Sequence, residues 1–168
     1  MSYQITLVEV PTNEPSLKCI EKALKVQLDK FGELISNVTL DCFYEKDSRE
    51  QAFQAVKEAN LIILLFEAKE NPYKQMIHFL QTFEHTFFKG KMLLPVIMGG
   101  TQVHASIIEI SLKPILNRIV STELIPTMYV MEKSEKKSYR CERKDSDQEI
   151  NEYLFSLLKK YIPLTFYI

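Results

Sequence analysis

The stretch Leu61-Ile-Ile-Leu-Leu-Phe66 contains no polar residue and no alternation. A strand with one wet face alternates apolar and polar side chains, because successive side chains point to opposite faces. An unbroken apolar run of strand length therefore predicts a strand covered on both faces, as at the centre of a parallel sheet. Parallel neighbours need crossover connections, so helices are expected on both sides of that sheet.

The rest of the chain supplies them. Gln4 to Val10 is β-branched and apolar and stops at Pro11, which predicts a first strand. Pro15 to Phe31 carries Leu17, Ile20, Leu24 and Leu28 at helical spacing, and Gly32 ends the pattern. Val38 to Tyr44 reads as a second strand, and Ser48-Arg-Glu-Gln51 has the form of a capping box opening a helix to about Ala59. Asn71 as N-cap and Pro72 as first helical residue open another, through Met76, Ile77, Leu80 and Phe83 to about Phe88. Lys89-Gly90-Lys91 turns the chain into a fourth strand, Met92 to Met98. After Gly99-Gly100-Thr101 a helix is expected from about Val103 to Val120, kinked by Pro114, and Glu123 to Met131 reads as a fifth strand. Ser146-Asp-Gln-Glu149 is a second capping box, opening a final helix to about Tyr161. Five strands in strict alternation with helices, in 168 residues, predict a single three-layer α/β domain over 1–168.

Composition narrows the function classes. A net charge of -1 and a pI near 6.3 argue against wholesale nucleic-acid binding through a basic face. No apolar run is long enough to span a bilayer, and Met1-Ser2-Tyr3-Gln4 lacks the lead of an export signal, so a cytoplasmic protein is expected. Cys19, Cys42 and Cys141 are an odd number at wide spacing, which suits free thiols better than a disulfide framework or a zinc site. His78 and His85 stand seven apart, two turns along one helix face, too far to share a metal without a third ligand. There is no Walker sequence, no GxGxxG and no Gly-x-Ser-x-Gly elbow. The polar stretch from Met131 to Asp145 mixes both charge signs, as solvated loops do. The apolar ending Tyr161-Ile-Pro-Leu-Thr-Phe-Tyr-Ile168 can pack on its own domain or dock on a second subunit.

Open α/β sheets bind ligands beyond the carboxyl ends of their strands. For a sheet of order 2-1-3-4-5 the loops concerned follow strands one, three and four: Pro11 to Ser16, Glu67 to Asn71, and Gly99 to Thr101. Gly99-Gly100 permits either close backbone approach to a flat ligand or a tight turn, and the glycines alone favour neither. Thr101 can cap the helix that follows, whose free amides favour an anionic or electron-rich group.

Gly90-Lys-Met-Leu-Leu-Pro-Val-Ile-Met-Gly-Gly-Thr-Gln-Val-His104, with Leu112-Lys-Pro-Ile-Leu116 and Ile125-Pro-Thr-Met-Tyr-Val130, resembles the NADPH-dependent FMN reductases of the sulfonate-assimilation type. The resemblance covers about Leu61 to Val130. It implies a flavodoxin-like fold, FMN and NADPH or NADH as ligands, and a homodimer or homotetramer. It also implies flavin contacts at Gly99, Gly100, Thr101 and, less directly, His104, which can merely extend the helix cap. The loop after strand three would add Ala68 and Lys69, and the loop after strand one Thr12, Asn13 and Ser16.

Two of these loops depart from the family pattern. Where the family carries Gly-Ser-x-Arg-x-x-Ser for a phosphate, this chain has Glu9-Val-Pro-Thr-Asn-Glu-Pro-Ser16, without glycine or arginine. Pro11 and Pro15 remove backbone donors, and Glu14 puts a like charge near a phosphate, at a cost on the order of 1 to 4 kcal/mol. A helix N-terminus capped by Asn13, with proline in its first turn, accounts for the same residues. After strand three, Leu65-Phe-Glu-Ala68 replaces the family's Thr-Pro-x-Tyr, so the hydroxyl, the proline and the ring are missing at matching positions. Two functions remain in view: an NAD(P)H-dependent FMN reductase, and a non-catalytic relative acting as a binding or regulatory subunit.

Overall fold

The computed structural model describes residues 4–15, 33–82, 87–119, 123–124 and 127–130, and positions 18, 21, 22, 24–26 and 28. Strands β1 (Gln4–Glu9), β2 (Glu33–Thr39), β3 (Leu61–Glu67) and β4 (Met92–Met98) form one parallel sheet, continued on β4 by β5 (Glu123–Leu124) and β6 (Met128–Val130). The order is β2-β1-β3-β4-β5, with β6 also on β4, so β5 and β6 share the fifth position of a 2-1-3-4-5 sheet. Helical positions between 15 and 28 make α1; α2 (Arg49–Glu58), α3 (Glu70–Thr82) and α4 (Gln102–Ile119) follow.

β3 is buried at all of its positions, as its lack of alternation requires. Its even residues Ile62, Leu64 and Phe66 join a core with Ala52 and Val56 of α2, Met76, Phe79 and Leu80 of α3, and Ile108, Leu112 and Leu116 of α4. Its odd residues Leu61, Ile63 and Leu65 join a second core with Leu24 and Leu28 of α1 and Leu94, Val96 and Met98 of β4. Phe66, at the end of the strand, is wholly core.

Several expected boundaries move. The second strand runs over Glu33–Thr39 rather than Val38 to Tyr44, and Leu40–Phe43 form a 3-10 turn. Thr39 lies opposite Glu9, the last residue of β1, so residues beyond it have no ladder to join, and Leu40 and Phe43 turn into the core instead. The capping box at Ser48 is not formed: Ser48 is the N-cap of α2, but its hydroxyl donates to the Cys42 carbonyl and the Glu45 carboxylate. Helix α3 begins at Glu70, placing Pro72 inside the first turn, where its missing N–H costs no helical bond. Residues 87–90 are turn, so α3 does not extend to Phe88. The expected fifth strand is described in two pieces, β5 opposite Met92 and Leu93 and β6 opposite Val96 to Met98 of β4, with 125–126 outside the described residues. Pro114 lies inside α4 as expected. The loop from Met131, the final helix, the C-terminal tail, His85, Cys19 and Cys141 lie outside the described residues. Cys42 is a free thiol.

The amino ends of the strands are tied together by polar groups. Asn60 donates its N–H to the Gln4 carbonyl (2.8 Å), accepts the Gln4 N–H at its side-chain oxygen (2.9 Å), and accepts the Met92 N–H at its carbonyl (3.0 Å). The Lys91 ammonium donates to the carbonyls of Lys57 and Ala59 at the end of α2, a helix terminus that otherwise leaves acceptors unsatisfied. Burial pushes the Lys91 amine below the ordinary lysine value. Lys91→Met keeps the stem and removes the donors, and is expected to lower stability by about 1 to 3 kcal/mol. The check is the urea midpoint, which should fall with an unchanged slope.

Candidate functional site

The loops after β1, β3 and β4 leave the same end of the sheet, and the backbone lashes each to its neighbour. The Val10 N–H donates to Leu65 O (3.0 Å), Ala68 N–H to Met98 O (2.7 Å), and Gly99 N–H to Val130 O (2.8 Å).

Gly99 and Gly100 both have φ of 72°, a region that L side chains rarely adopt, so the double glycine is required by the turn. At Gly100 a Cβ would lie 2.9 Å from the Ala68 Cβ and 3.7 Å from the His104 Cβ. Its smallness lets two loops of this chain close on each other. Thr101 is the N-cap of α4, its hydroxyl accepting the His104 N–H at 3.3 Å. The His104 side chain is exposed.

Beyond the Ala68–Gly100 contact lies a hollow of about 430 Å³ between α3 and α4. Ala68, Lys69 and Tyr73 border it from the β3 side, and His104, Ile107 and Ile108 from α4. Of the expected site residues, Ala68, Lys69 and His104 are thus brought together, with Gly100 packed behind two of them. Thr12 and Asn13 do not border the hollow, and Ser16 is outside the described residues. The aromatic ring missing from the loop after β3 is available from Tyr73, in the first turn of α3. No motif or spacing singles that residue out in the sequence, and only the packing of α3 against α4 reveals its place.

The loop after β1 is built around carboxylates. Thr12 is buried, donates its hydroxyl to Glu67 Oε2 (3.2 Å), and accepts the Glu14 N–H (3.2 Å). The cap of α1 is therefore not Asn13, which is exposed; the first helical bond runs from Lys18 N–H to Glu14 O (3.1 Å). Glu14 thus sets its own negative charge at the positive end of α1. Lys69 Nζ lies 2.8 Å from Glu67 Oε1 and 3.7 Å from Glu14 Oε1. The hydrogen bond and charge of Glu67 raise the Lys69 pKa above its ordinary value.

Beneath this loop Glu9, the last residue of β1, is buried and pairs with Lys25 of α1 at 3.4 Å. Glu21 of α1 is buried close by, and its carboxyl is pushed up to about 7, first by burial and then by Glu9, against the pull of Lys25 and Lys18. Neither Glu9 nor Glu21 carried any signal in sequence; the crossover from β1 to α1 makes them neighbours. Among the described residues no group of acidic, histidine or cysteine side chains could hold a metal ion, and no helix is long and apolar enough to cross a membrane. His78 is exposed and stacks on Tyr44 at 6.2 Å.

An FMN phosphate does not fit the loop after β1. Its prolines have no N–H, the Glu14 amide and the Thr12 hydroxyl are engaged within the chain, and carboxylates surround them. The apolar hollow beside Tyr73 and His104 does suit a flat ring.

Two variants check this geometry. Gly100→Ala is expected to cost about 1 to 3 kcal/mol, combining backbone strain with the Ala68 collision. Adding Ala68→Gly should recover the collision part but leave the strain, so the double mutant falls between Gly100→Ala and the Ala68→Gly single variant. The second concerns pH. The folded chain binds a proton at Glu21 that the unfolded chain releases near the ordinary value of 4.5, so this contribution is full below about 4.5 and is lost as pH rises to about 7. Glu21→Gln, neutral throughout, is expected to gain stability over the parent by on the order of 2 kcal/mol as pH climbs across that window. Thermal melts at several pH values measure it, and a pH-independent difference would contradict it.

No family model and no curated protein sequence matches the chain. Among solved structures, it is similar to an NADH:FMN oxidoreductase in its apo form, with a TM-score of 0.66 and 17% identity, covering 94% of this chain and 89% of that one. Flavodoxin 2 from Bacillus cereus matches with a TM-score of 0.62 and 12% identity over 94% and 99% of the two chains. General stress protein 14 from Treponema denticola, in complex with FMN, matches with a TM-score of 0.58 and 11% identity over 94% and 97%. At these identities the likeness is one of fold, and together with the 2-1-3-4-5 parallel sheet it makes this chain a flavodoxin-like α/β protein.

Proposed function

We propose that this chain is an NAD(P)H-dependent flavin reductase, which takes a flavin as substrate in the hollow between α3 and α4. The observation that carries the reading is the meeting of the β3 and β4 loops at Ala68 and Gly100, with an apolar hollow opening directly beyond. Tyr73 offers a ring face and Ile107 and Ile108 an apolar floor, which suits an isoalloxazine. The similarity in fold to an NADH:FMN oxidoreductase supports the same reading.

The reaction asks little acid or base chemistry of the protein. A hydride, with its electron pair, leaves nicotinamide C4 and adds to flavin N5, while solvent supplies the remaining proton. The chain's part is to hold the two rings together and keep water from between them. Val103, Ile107 and Ile110 expose apolar side chains on α4, which supports assembly into a homodimer or homotetramer around the same face.

The second reading, a non-catalytic binding or regulatory subunit, is favoured by the engaged and acidic loop after β1. Quenching of flavin fluorescence by the full chain separates the two. Saturable quenching, weakened about tenfold by Tyr73→Ala, is expected for the reductase, followed by flavin-dependent oxidation of NADPH or NADH. If no flavin is quenched, the binding-subunit reading holds.

A further inference from the structure

Resting on that reading, we propose that the site selects a flavin lacking the phosphate, riboflavin rather than FMN. Beside the hollow, joined to it through Lys69, lies an acidic cluster. Glu9, Glu14, Glu21 and Glu67 gather at the carboxyl ends of β1 and β3 and the start of α1, and only Lys25 and Lys69 form ion pairs with them among the described residues. Glu9 is 5% exposed and Glu21 9% exposed, and each keeps one carboxylate oxygen, Oε2 of Glu9 and Oε1 of Glu21, without a hydrogen-bond partner. Buried acceptors of that kind are costly unless something donates to them.

Among the described residues of this loop, the Thr12 hydroxyl and the Glu14 amide are already committed. Thr12 gives its proton to Glu67 and takes one from the Glu14 amide, and Pro11 and Pro15 have none to give. Lys69 borders the hollow, but Glu67 and Glu14 both hold its ammonium. A phosphate dianion entering here meets carboxylates and a lysine it must take from them. Ribityl hydroxyls beside Lys69 meet Glu14 and Glu67 as acceptors, and a neutral O–H can donate to either. The end of the site that repels the phosphate thus welcomes the sugar alcohol.

Fluorescence titration of the full chain with riboflavin and with FMN, at low and at high salt, tests this. Riboflavin is expected to bind at least about tenfold more tightly, and the gap should narrow at high salt as the repulsion is screened. Glu14→Gln, an exposed position that leaves the core intact and keeps an acceptor oxygen, should narrow the gap severalfold at low salt by improving FMN more than it changes riboflavin. FMN binding equal to or tighter than riboflavin overturns the selection while leaving the flavin reading intact. A gap that neither salt nor Glu14→Gln alters removes its electrostatic origin and overturns the proposal. If neither flavin binds, both this inference and the reading beneath it fall.

Discussion

The burial of β3 on both faces governs where every other element can go. Its backbone pairs with β1 along one edge and β4 along the other, in unbroken parallel register from Leu61 onward. Its even side chains demand one layer of helices and its odd ones another. Seven consecutive buried residues leave no face that could be wet, so the layers are a consequence of the strand. The same pairing brings the ends of β1, β3 and β4 together, and thereby the three loops from which the site is assembled.

Legibility in the sequence followed the strength of local constraint. β3, β4 and α4 were readable because long apolar runs and a double glycine leave few alternatives. β2 was displaced because it is an edge strand: its polar Ser36 and Asn37 are tolerated there, and its end is set by β1. The capping box of α2 failed for a similar reason. Cys42 and Glu45, brought near by the 3-10 turn, compete for the Ser48 hydroxyl, and spacing alone contains no record of them. Tertiary partners decide such contests.

The site divides along the same line. Gly99-Gly100 left a tight turn and close ligand approach equally open and Thr101 offered a cap; turn and cap are both present, but the reason for the small residue at 100 is Ala68, thirty-two positions away. Glu14 was visible as a misplaced charge; the depth of the acidic cluster was not, because Glu9 and Glu67 each end a strand and Glu21 sits within a helix. Likewise nothing in the sequence marks Tyr73 and Ile107, which come to one hollow only when α3 and α4 are laid side by side. Ligand-facing positions on helices share their periodicity with the core, so sequence pattern cannot separate them.

Asn60 and Lys91 fasten the opposite end of the sheet, where β1, β3, β4 and the end of α2 meet. Framework and recognition are thereby given to different ends of the same strands. Substitutions in the loop after β1 leave those fastenings untouched, so selection for folding alone does little to preserve its chemistry. A lineage of this fold can exchange one set of loop charges for another and still inherit the architecture intact. The acidic cluster around Glu9 stands at one end of the strands and the Asn60 fastening at the other.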